Sequence, residues 1–157
     1  KGENCGFVLM GLDYATLRLT DTPEGIILQY IECKDALKGN QEQILKTVEV
    51  TSTPLPKPYS SKYISTTVPP VAPIEYKAAE TFIKMEVKPK TRNGNVPDLT
   101  ARFFYSLDGN KWTELTEKPF TGRPGKWIGA KFGLYCNRFA SKNDSGWVQI
   151  DWINVTE

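Results

Sequence analysis

The sequence predicts an all-β fold, a sandwich of two antiparallel sheets. Three observations carry that expectation. Apolar residues alternate over short runs, with a period of two. The runs are separated by clusters of Gly, Pro, Asn and Asp. The best-patterned stretch, Ala101–Leu115, consists of two such runs around Asp108-Gly109. Short strands between frequent turn signals favour a sandwich over a helical fold. A twisted antiparallel sheet of this kind has one apolar face, which a second sheet has to cover.

Cys5–Leu19 reads as two adjoining strands, with a bend at Gly11-Leu12-Asp13. Asp21–Gly25 is a turn, in which Pro23 sets φ and Gly25 supplies the flexible position. Ile26–Cys33 is the next strand. Lys34–Gln43 is polar, with a turn at Gly39-Asn40. Ile44–Val50 alternates as a strand, and a short helix is the alternative.

Residues 51–79 are Pro-rich: six of the chain's 11 prolines fall between Pro54 and Pro73. Proline cannot donate to a β ladder, so this stretch is no central strand. It reads as an insertion, either extended over the surface or partly disordered. Tyr59, Ile64, Val68 and Val71 are the residues that would pin it down.

Thr81–Val87 is a strand with Ile83, Met85 and Val87 inward. Lys90–Pro97 is a polar loop. In the hairpin that follows, Ala101, Phe103, Tyr105 and Leu107 share one face, and Asp108-Gly109 makes a tight turn. Trp127–Cys136 is a Gly-spaced strand, and Trp147–Val155 closes the chain as a strand. Phe103, Tyr105, Phe132, Ile150 and Trp152 are the expected core.

A length of 157 residues suits one module with a sizeable core. With 20 basic and 18 acidic residues the net charge is only +2, and no long basic run occurs, so neither nucleic acid nor an anionic membrane is expected as partner. No apolar run approaches the ~20 residues of a membrane span. The chain contains no His, which excludes Ser-His-Asp and Cys-His catalysis. Cys5, Cys33 and Cys136 form no Cys-x-x-Cys pair, so no zinc site is expected. Each lies in or beside an apolar run and reads as a reduced residue in or near the core.

Five segments in order carry a resemblance. They are Gly-Phe-Val-Leu-Met-Gly-Leu-Asp-Tyr-Ala at 6–15, Cys-Lys-Asp-Ala at 33–36, Phe-Tyr-Ser-Leu-Asp-Gly-Asn-Lys-Trp at 104–112, Lys-Trp-Ile-Gly-Ala-Lys-Phe-Gly-Leu-Tyr-Cys at 126–136 and Gly-Trp-Val-Gln-Ile-Asp-Trp at 146–152. Together they resemble the C-terminal module of family 43 glycoside hydrolases, the β-xylosidases and arabinofuranosidases. The resemblance implies a concanavalin A-like jelly-roll over residues 1–157. It also implies further strands before Gly6, which either lie upstream or have their place filled by another segment, and a short loop where residues 51–79 stand. A catalytic five-bladed β-propeller is the implied partner, plant xylan or arabinan the implied substrate of the parent enzyme, and a secreted or periplasmic location follows.

No catalytic residue is selected. A glycosidase needs two carboxyl groups about 5–9.5 Å apart, one with a raised pKa. Asp13, Asp35, Asp108, Asp144 and Asp151 qualify only by type. Asp108 is simplest as a turn residue, and Asp13 and Asp151 as buried, hydrogen-bonded groups. Trp127, Tyr135, Arg138, Phe139 and Trp147, near loops, are the candidates for carbohydrate binding or a module interface. Trp127 precedes Ile128-Gly129-Ala130. In β-xylosidase relatives an aromatic at the matching position reaches toward the catalytic pocket, so the resemblance implies that role here. The plainer reading is that Trp127 covers the end of the core. No cofactor is expected. Structural calcium is an option through loop oxygens at Asn93, Asn95, Asn143 and Asp144. An independent, lectin-like carbohydrate-binding module is the rival to the accessory-module reading.

Overall fold

The computed structural model describes residues 2–51, 80–90, 98–123, 125, 129–138 and 148–156. Nine strands make two antiparallel sheets among these residues. The first sheet holds β1 (Glu3–Met10), β2 (Tyr14–Thr22), β3 (Gly25–Cys33), β4 (Gln43–Thr51) and β9 (Lys131–Arg138), in the order β4-β3-β2-β1-β9. The second holds β5 (Phe82–Lys90), β6 (Asp98–Ser106), β7 (Thr113–Glu114) and β8 (Phe120–Gly122), with β5, β7 and β8 all paired to β6. This is the all-β sandwich of two antiparallel sheets that the sequence predicts. The Pro-rich segment, apart from Thr51, lies outside the described residues, as does the loop over 91–97.

The bend at Gly11-Leu12-Asp13 separates β1 from β2 as expected. The turn after β2 is tighter than the sequence suggests. Thr22 pairs with Gly25, leaving only Pro23 and Glu24 between the strands. A single 3₁₀ turn, Ala36–Lys38, precedes β4.

One face of each sheet supplies the core. Leu9, Ala15, Leu17, Leu28 and Tyr30 from the first sheet meet Ala101, Phe103, Leu115 and Phe120 from the second. The rings of Tyr30 and Phe103, both almost wholly buried, lie 5.3 Å apart. At about 25 cal/mol per Å² of apolar surface, burial of such side chains supplies most of the driving force. Tyr105, Ile83 and Met85 pack partly buried against this cluster.

Four expectations fail here. Val87 is 44 % exposed, at the outer part of β5. The hairpin loop is long: β6 ends at Ser106 and β7 spans two residues. The reason is Asp108, whose Oδ1 accepts hydrogen bonds from the backbone N–H groups of Asn110 and Lys111 and from Ser106 Oγ, closing a wider turn. Residues 148–156 form no strand, and Ile150 and Trp152 are 47 % and 63 % exposed instead of core. Trp152 rests its ring 6.3 Å from that of Phe82. Phe132 is 56 % exposed. It lies on the core-facing side of β9, opposite Leu9, and meets the Phe7 ring edge-on at 6.0 Å, but β9 is the outermost strand of its sheet among the described residues.

Candidate functional site

Three chain segments meet at one rim of the sandwich: the β1–β2 corner, the exit of β3 and the connection after β8. Asp13 sits in the corner and is 2 % exposed. Its carboxylate accepts hydrogen bonds from Arg123 Nε at 2.8 Å and Nη2 at 2.6 Å, and from the backbone N–H groups of Asp35 at 2.8 Å and Arg123 at 3.3 Å. Arg123 Nη2 also donates to Asp35 Oδ1 at 2.7 Å. The backbone seals the junction, with Leu12 N–H donating to Arg123 O and Ala36 N–H to Leu12 O. Lys34 extends it: its Nζ donates to Thr121 O at 2.8 Å and lies 4.2 Å from the Phe120 ring centre. The first sheet is thereby clamped to the second.

The electrostatics follow from the geometry. Hydrogen bonds from the Arg123 guanidinium hold Asp13 far below the usual carboxylate range, against the opposing effect of burial. The same guanidinium lowers Asp35. Arg123 is in turn held still more firmly charged by Asp13 and then Asp35. This pair of carboxylates is thus built to stay ionised.

The clamp is followed by a backbone contact between two glycines. Gly125 N–H donates to Gly129 O at 3.1 Å, pairing the two glycines across positions 126–128. Gly129 has φ 67°, a left-handed conformation that suits glycine. Trp127 belongs to the bracketed positions, and Trp127, Phe139 and Trp147 all lie outside the described residues. So do the calcium-donor candidates Asn93, Asn95, Asn143 and Asp144.

The two remaining candidates do not come together. Tyr135 and Arg138 differ by an odd number of positions along β9 and so face opposite sides of the sheet. Tyr135 lies over Gly6 on the outer face, where its hydroxyl accepts a hydrogen bond from Thr16 at 3.1 Å. Burial pushes its phenol up. Arg138 pairs with Glu3 at 3.8 Å. The polar outer face around Tyr135 is largely bonded to itself. Thr20 donates to Asn4 at 2.7 Å, while Arg18 and Tyr14 both donate to Glu42 at 2.7 Å.

The match to known families was decided over nearly the whole length: residues 1–156 fit the model of the β-xylosidase C-terminal concanavalin A-like domain. The chain belongs to that family. No curated protein and no solved structure matches it significantly. Membership of the β-xylosidase C-terminal domain family implies a catalytic module of a family 43 glycoside hydrolase as its partner.

Within this β-xylosidase-type domain, Asp13 is buried and hydrogen-bonded as its apolar neighbours suggest, whereas Asp151 is exposed and accepts from Gln149 Nε2. Sequence reasoning missed Arg123. The only signal was a basic residue inside Gly-Arg-Pro-Gly, close to a strand end. Its partners lie 110 and 88 positions away, beyond any local pattern.

Proposed function

We propose that the chain is a non-catalytic accessory module of a family 43 glycoside hydrolase acting on plant xylan or arabinan. Its task is to buttress the catalytic β-propeller and help complete the substrate pocket. The family match over residues 1–156 carries this reading. The rim clamp supports it. A glycosidase acid needs a carboxyl group whose pKa is raised, and Arg123 drives Asp13 and Asp35 in the opposite direction. Chemistry is therefore assigned to the propeller, and to the clamp the joining of the module's two sheets. The self-bonded hydroxyls and amides of the outer face also favour this reading over a lectin-like module, because sugar recognition needs polar groups that are free to bond the ligand. A secreted or periplasmic location fits such an enzyme.

The test has two arms. The chain alone, assayed on aryl-xylosides and aryl-arabinofuranosides, is expected to show no turnover. In the enzyme that carries the propeller, Trp127→Ala is expected to lower kcat/KM while the melting midpoint of the isolated module stays within a few degrees. Turnover by the isolated chain that vanishes on replacing a single Asp or Glu would overturn the accessory role. Unfolding of the isolated module by Trp127→Ala would remove the pocket role.

A further inference from the structure

We propose that Cys5 and Cys136 are a redox pair, forming a reversible intramolecular disulfide that staples the edge strand β9 to β1. The two residues are directly opposed in the antiparallel register, between the pairs Glu3–Arg138 and Phe7–Leu134. Directly opposed Cα atoms lie roughly 4.5–5.5 Å apart in such a ladder, within the roughly 4.4–6.8 Å that a disulfide spans. Both side chains leave the same face of the sheet. Both thiols are free, and Cys5 is half-buried while Cys136 is exposed to an oxidant. Burial, and after it the adjoining Cys136 thiol, push the Cys5 thiol up to about 11.

The third cysteine is excluded by position. Cys33 is buried at the far end of β3, opposite Tyr14 on the other face, and donates its S–H to Asn40 O at 3.3 Å. One intramolecular pair therefore accounts for the odd cysteine count.

The oxidant is a small disulfide such as oxidised glutathione. Cys136, as its thiolate, attacks one sulfur of that disulfide and displaces the other half as a thiolate. Cys5 then loses its proton to solvent and attacks Cys136 Sγ, displacing the second half. Two protein thiols and one small disulfide become one protein disulfide and two small thiols, so atoms and electrons balance. The consequence is mechanical. Among the described residues β9 is last in its sheet and pairs with β1 alone. A covalent tie between positions 5 and 136 closes a long loop of chain, the case in which cross-linking restricts the unfolded state most.

Equilibrating the purified chain in glutathione buffers of rising oxidised fraction tests this. At the oxidising end, one of the three thiols is expected to remain free, the monomer to lose two hydrogens in mass, and a peptide map to join Cys5 to Cys136. Dithiothreitol should reverse all three changes. The oxidised form should melt higher, and its β9 amide protons should exchange more slowly. Cys33→Ser should retain the bridge, and Cys136→Ser should abolish it. Persistence of three free thiols, stable mixed disulfides with glutathione, disulfide-linked dimers, or a bridge that includes Cys33 would each overturn the proposal. The peptide map of the unmutated chain decides this even if a variant fails to fold.

Discussion

Arg123 grips Asp13 across 110 positions of sequence with two side-chain hydrogen bonds, and this contact ties the β1–β2 corner of one sheet to the strand end of the other. Asp13 is buried, so its charge is tolerable only while Arg123 and two backbone N–H groups surround it. Asp13→Ala leaves those N–H groups without an acceptor and Arg123 with Asp35 alone. The expected cost is about 3 kcal/mol, read as a lower urea midpoint at unchanged m-value. A change below about 1 kcal/mol would mean that the corner does not depend on the clamp.

The clamp also sets an acid dependence. Both of its carboxylates have folded-state pKa values below those of the unfolded chain. Their contribution is complete above the unfolded value of about 3.9 and is lost as pH falls through the lower folded values. The melting midpoint is therefore expected to drop as pH falls below about 4. Asp13→Asn, which cannot ionise, should start from a lower midpoint and lose less of it over the same range. Parallel curves for the two proteins would show that Asp13 does not drive the acid transition.

Gly6 is a second point of dependence. A Cβ there would stand 2.5 Å from Leu17 O and 2.7 Å from Tyr135 Cε1. The first of these is backbone and cannot swing away. Gly6→Ala is expected to destabilise by about 1–3 kcal/mol, and to displace the Tyr135 ring from Thr16. Denaturant melts with the Tyr135 fluorescence or ring chemical shifts as a second readout would check both parts. An unshifted ring in a fully stable variant would rule the clash out.

Two aromatics that look alike in sequence should behave differently. Phe103 is fully buried against Tyr30, and Phe103→Ala is expected to cost about 3–5 kcal/mol. Trp152, 63 % exposed and touching Phe82 from outside, should cost below about 1 kcal/mol when truncated. Equal losses for the two would place Trp152 in the core after all.

Much of this protein could be read from the chain alone, and particular residues show why. Alternation over Cys5–Met10, Tyr14–Leu19 and Ala101–Tyr105 marks strands, because successive side chains on a strand point to opposite faces. Asp13 among apolar neighbours marks a buried, bonded corner. The motifs around Asp108 and Gly133 carry the family likeness, and the match over residues 1–156 bears it out. Alternation, however, tells which face a side chain shares and not whether anything covers that face. Phe132, Leu134 and Cys136 have the same parity as Leu9, Phe7 and Cys5, yet they are exposed on β9, the outermost strand of its sheet among the described residues. Ile150 and Trp152 were misplaced for another reason, since the alternating residues 148–156 form no strand. Strand signals, the family likeness and the absence of histidine were thus determined by sequence. The grip of Arg123 on Asp13 and Asp35, the opposed thiols of Cys5 and Cys136, and the outermost place of β9 among the described strands were decided only by tertiary structure, because each depends on which distant strands become neighbours.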